Sequence, residues 1–257
     1  MRALVTGGSS GLGAALVRAL VARGDQVLIA DLSEPAEGVP ADFVRLDVRS
    51  AEDWDAAREW VEQHWGGLDL LINNAGVGGG GRIDVTSLDE WQWITEINLF
   101  GVVRGVREFV PMMKAQRSGH IVNVASLAGF VHPAGMSSYN AVKAGVVALT
   151  ETLGHELAQW RIKATVVCPS FFKTNLVDSM RSSDPVAGKV VGSLVERSAT
   201  TADQIAAAVL AGVERGDQVI FPDPASQAAI ELKRTDAASY DAVMRHQARR
   251  LEEAAGG

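Results

Sequence analysis

A single cysteine, Cys168, stands in a chain of 257 residues, which excludes an internal disulfide and a cysteine-based zinc site. Its setting in ATVVCPS reads as a buried strand end, so Cys168 is assigned to packing. Basic residues are in deficit: 24 Lys and Arg against 31 Asp and Glu leave a net charge of −7. That balance offers no electrostatic basis for gripping a phosphate backbone, and nucleic acid is not an expected partner. No run approaches the ~18 uninterrupted apolar residues of a transmembrane helix, so stable membrane insertion is not expected. Met1-Arg2 leads directly into ALVTGG, whose apolar stretch is too short for the core of a signal peptide. A soluble, cytoplasmic protein is the expectation. No repeat and no inner linker stands out, so residues 1–257 read as one domain with a helical extension from about residue 224.

What is present is a core-forming composition. Hydrophobic residues make up 47% and charged residues 21%, which argues for a substantial core and against disorder. Short β-rich runs at 3–5, 27–30, 43–46, 68–72, 120–125, 163–167 and 218–221 alternate with helical patterns at 12–22, 51–65, 88–116 and 202–214. Such alternation is the signature of βαβ units and a parallel sheet. Pro111 marks a break or bend near the end of the 88–116 helix. Pro35, Gly38 and Pro40 reduce the crossover between Asp31 and Asp47 to a turn.

YNAVK sets Tyr139 and Lys143 one helical turn apart, within a run whose stripe of Ala141, Val142, Gly145, Val146 and Leu149 reads as a helix. Residues four apart share a face, so the ammonium can sit beside the phenol. A free tyrosine, with a pKa of roughly 10, is a poor base at neutral pH. A nearby cation stabilises the phenolate and lowers that value, towards the range where general acid–base catalysis is efficient.

TGGSSGLG spans Thr6 to Gly13 directly after a strand and opens a helix, the context of a phosphate-binding turn. Gly7 permits the tight turn, Gly11 lets the backbone approach a pyrophosphate, and Gly13 lets the helix pack closely. Ser9, Ser10 and Leu12 complete the turn, and the helix N-terminus presents N–H groups and positive dipole to an anion. Asp31 closes the second strand roughly 20 residues on, where a carboxylate accepts from both ribose hydroxyls and repels a 2′-phosphate, selecting NAD over NADP. No Lys or Arg stands at Ser9, Ser10, Leu32 or Ser33 to reverse that choice. Asp47, with Val48 beside it, is a candidate acceptor for the adenine amino group.

Taken together, TGGSSGLG, NNAG at 73–76, Ser126, YNAVK and PSFFKT at 169–174 resemble the short-chain dehydrogenase/reductase family, in its compact single-domain branch. The resemblance covers about residues 1–222 and implies an α/β, doubly wound Rossmann fold, a parallel sheet with helices on both faces. It implies NAD(H) as cofactor and hydride transfer to or from a carbonyl or alcohol carbon of a small-molecule substrate. Tyr139 would be the acid–base, Lys143 would lower its pKa and bind the nicotinamide ribose, and Ser126 would hydrogen-bond the substrate oxygen. Asn98, in EINLFG, would hold a water linking Lys143 to solvent. Asn74, Ala75 and Gly76 would lie beside the cofactor ribose, with Pro169, Phe172 and Thr174 near the carboxamide. Ser170 departs from the glycine usual after that proline.

The expected pocket lining is Ser126, Leu127, Phe130, Val131, Pro133, Met136, Tyr139, Phe171, Phe172 and Leu176, mainly apolar. It points to a hydrophobic secondary alcohol or ketone. Residues 175–200 read as a mobile lid with Gly188 and Gly192 as flexible points. The family implies a homodimer or homotetramer, for which Gly101, Val102, Val106, Ala144, Val147 and Ala148 offer small or apolar surfaces. His155 in GHEL has no second histidine at metal spacing, so no metal site is expected. The tail from Ala225 reads as helical, packed on the body or a neighbouring subunit, with a lid over the pocket or a membrane-surface patch as alternatives. An epimerase or dehydratase on the same fold, or an NAD-binding regulator without turnover, are the competing functions.

Overall fold

Strand residues alternate between two apolar layers, and that alternation sets the architecture. The computed structural model describes residues 1–173 and 179–256. Its strands are β1 (Arg2–Thr6), β2 (Gln26–Asp31), β3 (Asp42–Arg45), β4 (Leu70–Asn73), β5 (Gly119–Val124), β6 (Ile162–Val167) and β7 (Val219–Ile220). All pair in parallel, in the order β3-β2-β1-β4-β5-β6-β7. Leu4, Leu28, Leu71, Ile121 and Val166 point into one layer, whereas Ala3, Val5, Ile29, Ile72 and Val122 point into the other. A period of two requires this, since successive side chains leave opposite faces of a strand.

Helices cover both faces. α2 (Ala51–Trp65), α4 (Gly101–Gln116) and α6 (Ser137–Leu157) fill the first layer through Trp54, Val61, Phe109, Val146 and Leu153. α1 (Gly11–Ala22) and α8 (Ala202–Arg215) fill the second through Leu16, Leu20, Ile205, Val209 and Val213. Each such buried aliphatic side chain contributes about 1.5–3 kcal/mol. Side-chain caps fix several helix starts: Ser50 accepts from the Asp53 N–H, and Thr201 forms a reciprocal box with Gln204. The doubly wound α/β fold is therefore as the sequence implies, and residues 32–41 cross from β2 to β3 without a helix.

Four details differ from the sequence reading. The 88–116 segment is three elements: α3 (Leu88–Thr95), a π turn (Glu96–Phe100) and α4, and Pro111 sits inside α4 without ending it. Gly188 and Gly192 lie within α7 (Pro185–Glu196), whose start is capped by Asp184, so they are helix residues and not loop hinges. Gly101, Val102, Val106 and Val147 are buried within the chain, because α4 and α6 turn these positions towards the sheet. They are unavailable to a partner, while Ala144 is half-buried and Ala148 exposed. A short helix α5 (Ala128–Val131) also follows β5. The tail forms α9 (Pro224–Thr235) and α10 (Ala237–Gly256). Among the described residues, no helix is long and apolar enough to cross a membrane.

Candidate active site

In an open parallel sheet, ligands bind beyond the carboxyl ends of the strands where the strand order reverses. Here β1 lies between β2 and β4, so the chain crosses to the other half of the sheet at β1/β4. A cavity of about 890 Å³ opens at that point. Its nucleotide end is lined by Gly7, Ser10, Gly11 and Leu12, by Asp31 and Leu32, and by Asp47 and Val48.

The glycine turn is held by close backbone contact. Gly7 has a φ of +64°, and a Cβ there would come within 2.9 Å of the Ala75 Cα. A Cβ on Gly13 would lie 1.9 Å from the Gly7 carbonyl oxygen, so the turn would have to shift to admit it. NNAG is stitched to the same turn. The Asn74 amide donates to the Thr6 and Gly7 carbonyls at 2.9 and 3.2 Å. The Thr6 hydroxyl accepts from the Asn74 and Ala75 N–H groups at 2.9 and 3.0 Å. Gly13 and Ser9 thus shape the turn without lining the cavity. Ser9 donates its N–H to Asp31 at 2.9 Å and its hydroxyl to the Ser33 carbonyl at 2.6 Å.

Asp31 accepts from the Ser9 N–H on one oxygen and from the Ser33 N–H on the other, at 3.2 Å. Asp47 is more committed. Arg49 grips both of its oxygens, at 2.6 Å from Nη2 and 3.0 Å from Nε. Those hydrogen bonds hold the Asp47 carboxyl below the ordinary carboxylate range. A carboxylate so engaged has less capacity for an amino group than the sequence reading assumed.

At the other end, Tyr139, Ser126 and Lys143 converge on the cavity wall. β5 delivers Ser126 just past its end, and the first turns of α6 deliver Tyr139 and Lys143. Tyr139 and Lys143 are 7% and 5% exposed. The Lys143 Nζ donates to the Val124 carbonyl at 3.1 Å and lies 5.7 Å from the Tyr139 ring centre. The lowered phenol pKa expected from sequence is not what this site has. Burial pushes Tyr139 up to about 12, with the Ser126 hydroxyl pulling the other way. Burial likewise brings Lys143 down to about 8. Low polarity disfavours each ion taken alone.

Asn98 is fully buried on the π turn, and its amide bonds Val77, accepting from that N–H at 2.8 Å and donating to that carbonyl at 2.9 Å. The side chain therefore pins the loop after NNAG. Ser126, Leu127, Val131, Pro133, Met136, Phe171 and Phe172 line the cavity, as do Pro169, Ala75 and Gly76. Phe130 does not: its ring packs edge-on against Phe221 at 5.3 Å, on the far side of α5. Thr174 and Leu176 lie outside the described residues. Trp93, with the Arg181 guanidinium 4.6 Å over its ring, and the tail residues Leu232, Tyr240, Val243, Met244 and Gln247 also line the cavity. The sequence offers the tail as a lid over the pocket only as an alternative, and it does not single out Trp93 or these tail residues as lining.

The family model described as short chain dehydrogenase matches residues 1–185. A 3-alpha-(or 20-beta)-hydroxysteroid dehydrogenase of Mycobacterium tuberculosis is 38% identical over 183 residues, 68% of this chain and 70% of the relative. A trans-4-hydroxycyclohexanecarboxylate dehydrogenase of Sinomonas cyclohexanicum is 36% identical over 195 residues, 70% of this chain and 75% of the relative. The crystal structure of a short chain dehydrogenase/reductase from Burkholderia phymatum, in complex with NAD, superposes with a TM-score of 0.85. That structure is 31% identical in sequence, over 92% of this chain and 93% of its own. With its glycine turn, its NNAG loop and its Ser126–Tyr139–Lys143 cluster gathered at one crevice of a seven-stranded parallel sheet, the chain belongs to the short-chain dehydrogenase family of oxidoreductases.

Proposed function

We propose that this protein is an NAD-dependent oxidoreductase that interconverts a hydrophobic secondary alcohol and its ketone. One observation carries the reading: Tyr139, Ser126 and Lys143 share a cavity with Gly7, Gly11 and Asp31. The residues fit a dinucleotide. Gly7 and Gly13 keep open a cradle that a Cβ would fill. The first turn of α1 carries no acidic residue, and Ser10 makes no side-chain capping bond to it, so N–H groups and dipole face an anion unopposed. A carboxylate offers about four lone-pair positions. Asp31 gives two hydrogen bonds' worth to Ser9 and Ser33, which leaves room for ribose hydroxyls and none for a 2′-phosphate. The cofactor supplies hydride acceptance or donation at the reacting carbon.

The chain supplies the rest. Ser126 orients the substrate oxygen and stabilises its developing charge. Tyr139 takes the alcohol proton in oxidation and returns it in reduction. Lys143, with its Nζ 5.7 Å from the Tyr139 ring centre, favours the phenolate when it is ionised. Asn98, buried on the π turn, would hold a water linking Lys143 to solvent.

The apolar lining favours a hydrophobic group over a phosphorylated or nucleotide-linked sugar, and the hydroxysteroid and hydroxycyclohexanecarboxylate relatives lean the same way. Assembly as a homodimer or homotetramer belongs to this reading, with Phe100, exposed on the π turn, a candidate for the shared face. The test is absorbance at the NADH wavelength across a panel of apolar secondary alcohols and charged sugars. Turnover of the alcohols is expected; preference for the sugars rejects the substrate class, and silence on the whole panel rejects the activity.

A further inference from the structure

Residues 224–256 lie beyond the span that matches the family, yet they wall the cavity. Leu232 of α9 and Tyr240, Val243, Met244 and Gln247 of α10 are among its lining. On α10 these positions fall three and four apart, with Leu251 one turn further, so they share one stripe of the helix, along which Met244 is half-buried while Val243 and Gln247 stay exposed at the rim. Tyr240 and Leu251 are buried in the process. Trp93, Val131 and Met136 of the body line the same cavity.

The tail is fastened at both ends and in the middle. Asp223, 1% exposed, caps α9 by accepting from the Ser226 N–H at 2.8 Å. The same carboxylate accepts from the Ser170 hydroxyl at 2.5 Å and the Ser170 N–H at 2.9 Å. Ser170, unusual after this proline, therefore ties the tail's hinge to the loop beside the reacting end. Lys233 donates to the Phe130 carbonyl and lies 5.4 Å over the Tyr240 ring. Arg82 joins Glu252, at 3.1 Å, to the buried Asp184 that caps α7, at 2.9 Å. Gly135 has a φ of +73°, and a Cβ there would come within 2.5 Å of Leu251. The last turns of α10 thus sit directly on the loop that leads into Tyr139.

We infer that the two C-terminal helices are the wall that selects the substrate, and that this wall fits a bulky apolar group, of one ring or more, on the carbinol carbon. The inference rests on the oxidoreductase reading above and deepens it. Leu232, Tyr240 and Met244 put apolar surface in the same cavity as Tyr139 and Ser126, and a fused-ring or branched group on the carbinol carbon is what would bury it. Discrimination of this kind scales with buried methylenes, about tenfold or more for each well-packed one.

The test uses the full chain carrying Met244→Trp and, separately, Met244→Ala, assayed with NAD+ on isopropanol, cyclohexanol and a bicyclic decalinol. In Met244→Trp the ratio of kcat/KM for the bicyclic alcohol to that for isopropanol is expected to fall about tenfold or more. Met244→Ala should lower the preference for cyclohexanol over isopropanol, since the ring loses its packing partner. NADH affinity, read by fluorescence, confirms that each variant is folded. Ratios that stay at the wild-type value in both variants overturn the wall. If the wild type oxidises none of the alcohols, calorimetry of a bicyclic ketone on the NADH-loaded protein decides. Binding that Met244→Trp weakens about tenfold keeps the wall and sinks the oxidoreductase. No binding, or binding indifferent to residue 244, sinks the wall.

Discussion

At the nucleotide end of the cleft, the turn is shaped by glycines and backbone groups, whereas the far wall comes from side chains of the middle of the chain and of its C-terminal helices. Gly7, Gly11 and Gly13 act through what they lack, and Asn74 and Thr6 lock the turn with four hydrogen bonds. Met244, Tyr240 and Leu232 act through volume, against Met136 and Val131. A site defined by backbone geometry tolerates almost no substitution. A site defined by packing volume is free to vary, which is what substrate choice requires. The family match ends at residue 185, before the wall begins.

The largest expected effect lies where the two ends meet. Tyr139→Phe should lower turnover by about a thousandfold while dinucleotide binding, read by fluorescence, persists; substantial residual turnover would remove Tyr139 from its role. The pH dependence has a definite sign. Burial holds the Tyr139 phenol protonated, up to about 12. Oxidation, which needs the base form, should therefore climb as pH rises, and reduction, which needs the acid form, should hold level across the neutral range. A reduction rate that rises with pH would contradict that assignment.

Gly13→Ala probes the backbone-built end. Its methyl meets the Gly7 carbonyl at 1.9 Å, and overpacking of this kind costs about 1–3 kcal/mol. Denaturant unfolding should show that loss together with weakened nucleotide binding; a neutral result would mean the turn is softer than its contacts. Asp31→Ala should narrow the preference for NAD over NADP by about tenfold, or about 1.4 kcal/mol. Steady-state kinetics with both cofactors measures it, and unchanged discrimination disproves the ribose contact.

The smallest effect belongs to the tail's outer latch. Glu252 is exposed where it meets Arg82, and exposed ion pairs contribute at most about 1 kcal/mol. Glu252→Gln should shift the melting temperature by only a degree or two, about what such a ΔΔG allows in a domain of this size. A much larger shift would mean that charge, and not the apolar stripe of α10, holds the wall in place.

Much of the nucleotide end was legible because its signals are local. A strand followed by TGGSSGLG needs only a short window to read, and the glycines, Asp31 and the YNAVK pair fell on the elements expected of them. The errors came from burial and direction, which a linear pattern does not carry. Phe130 sits beside lining residues in sequence but on the other face of a one-turn helix. Val102, Val106 and Val147 looked like surface and proved to be core, since a helix wedged between sheet and solvent chooses its inner face by packing. Nothing in EINLFG shows that the Asn98 amide would bond the Val77 backbone and pin the loop after NNAG.

By itself the sequence determined the alternation of strands and helices, the phosphate turn, the acid that ends β2 and the one-turn spacing of phenol and ammonium. Each of these follows from short-range sterics and helical periodicity. Only the tertiary structure decided that burial raises Tyr139, that Arg49 engages Asp47, and that α10 folds back over the pocket to put Met244 within the cavity wall. Desolvation and long-range packing depend on which distant surfaces meet, and no stretch of sequence specifies its own neighbours.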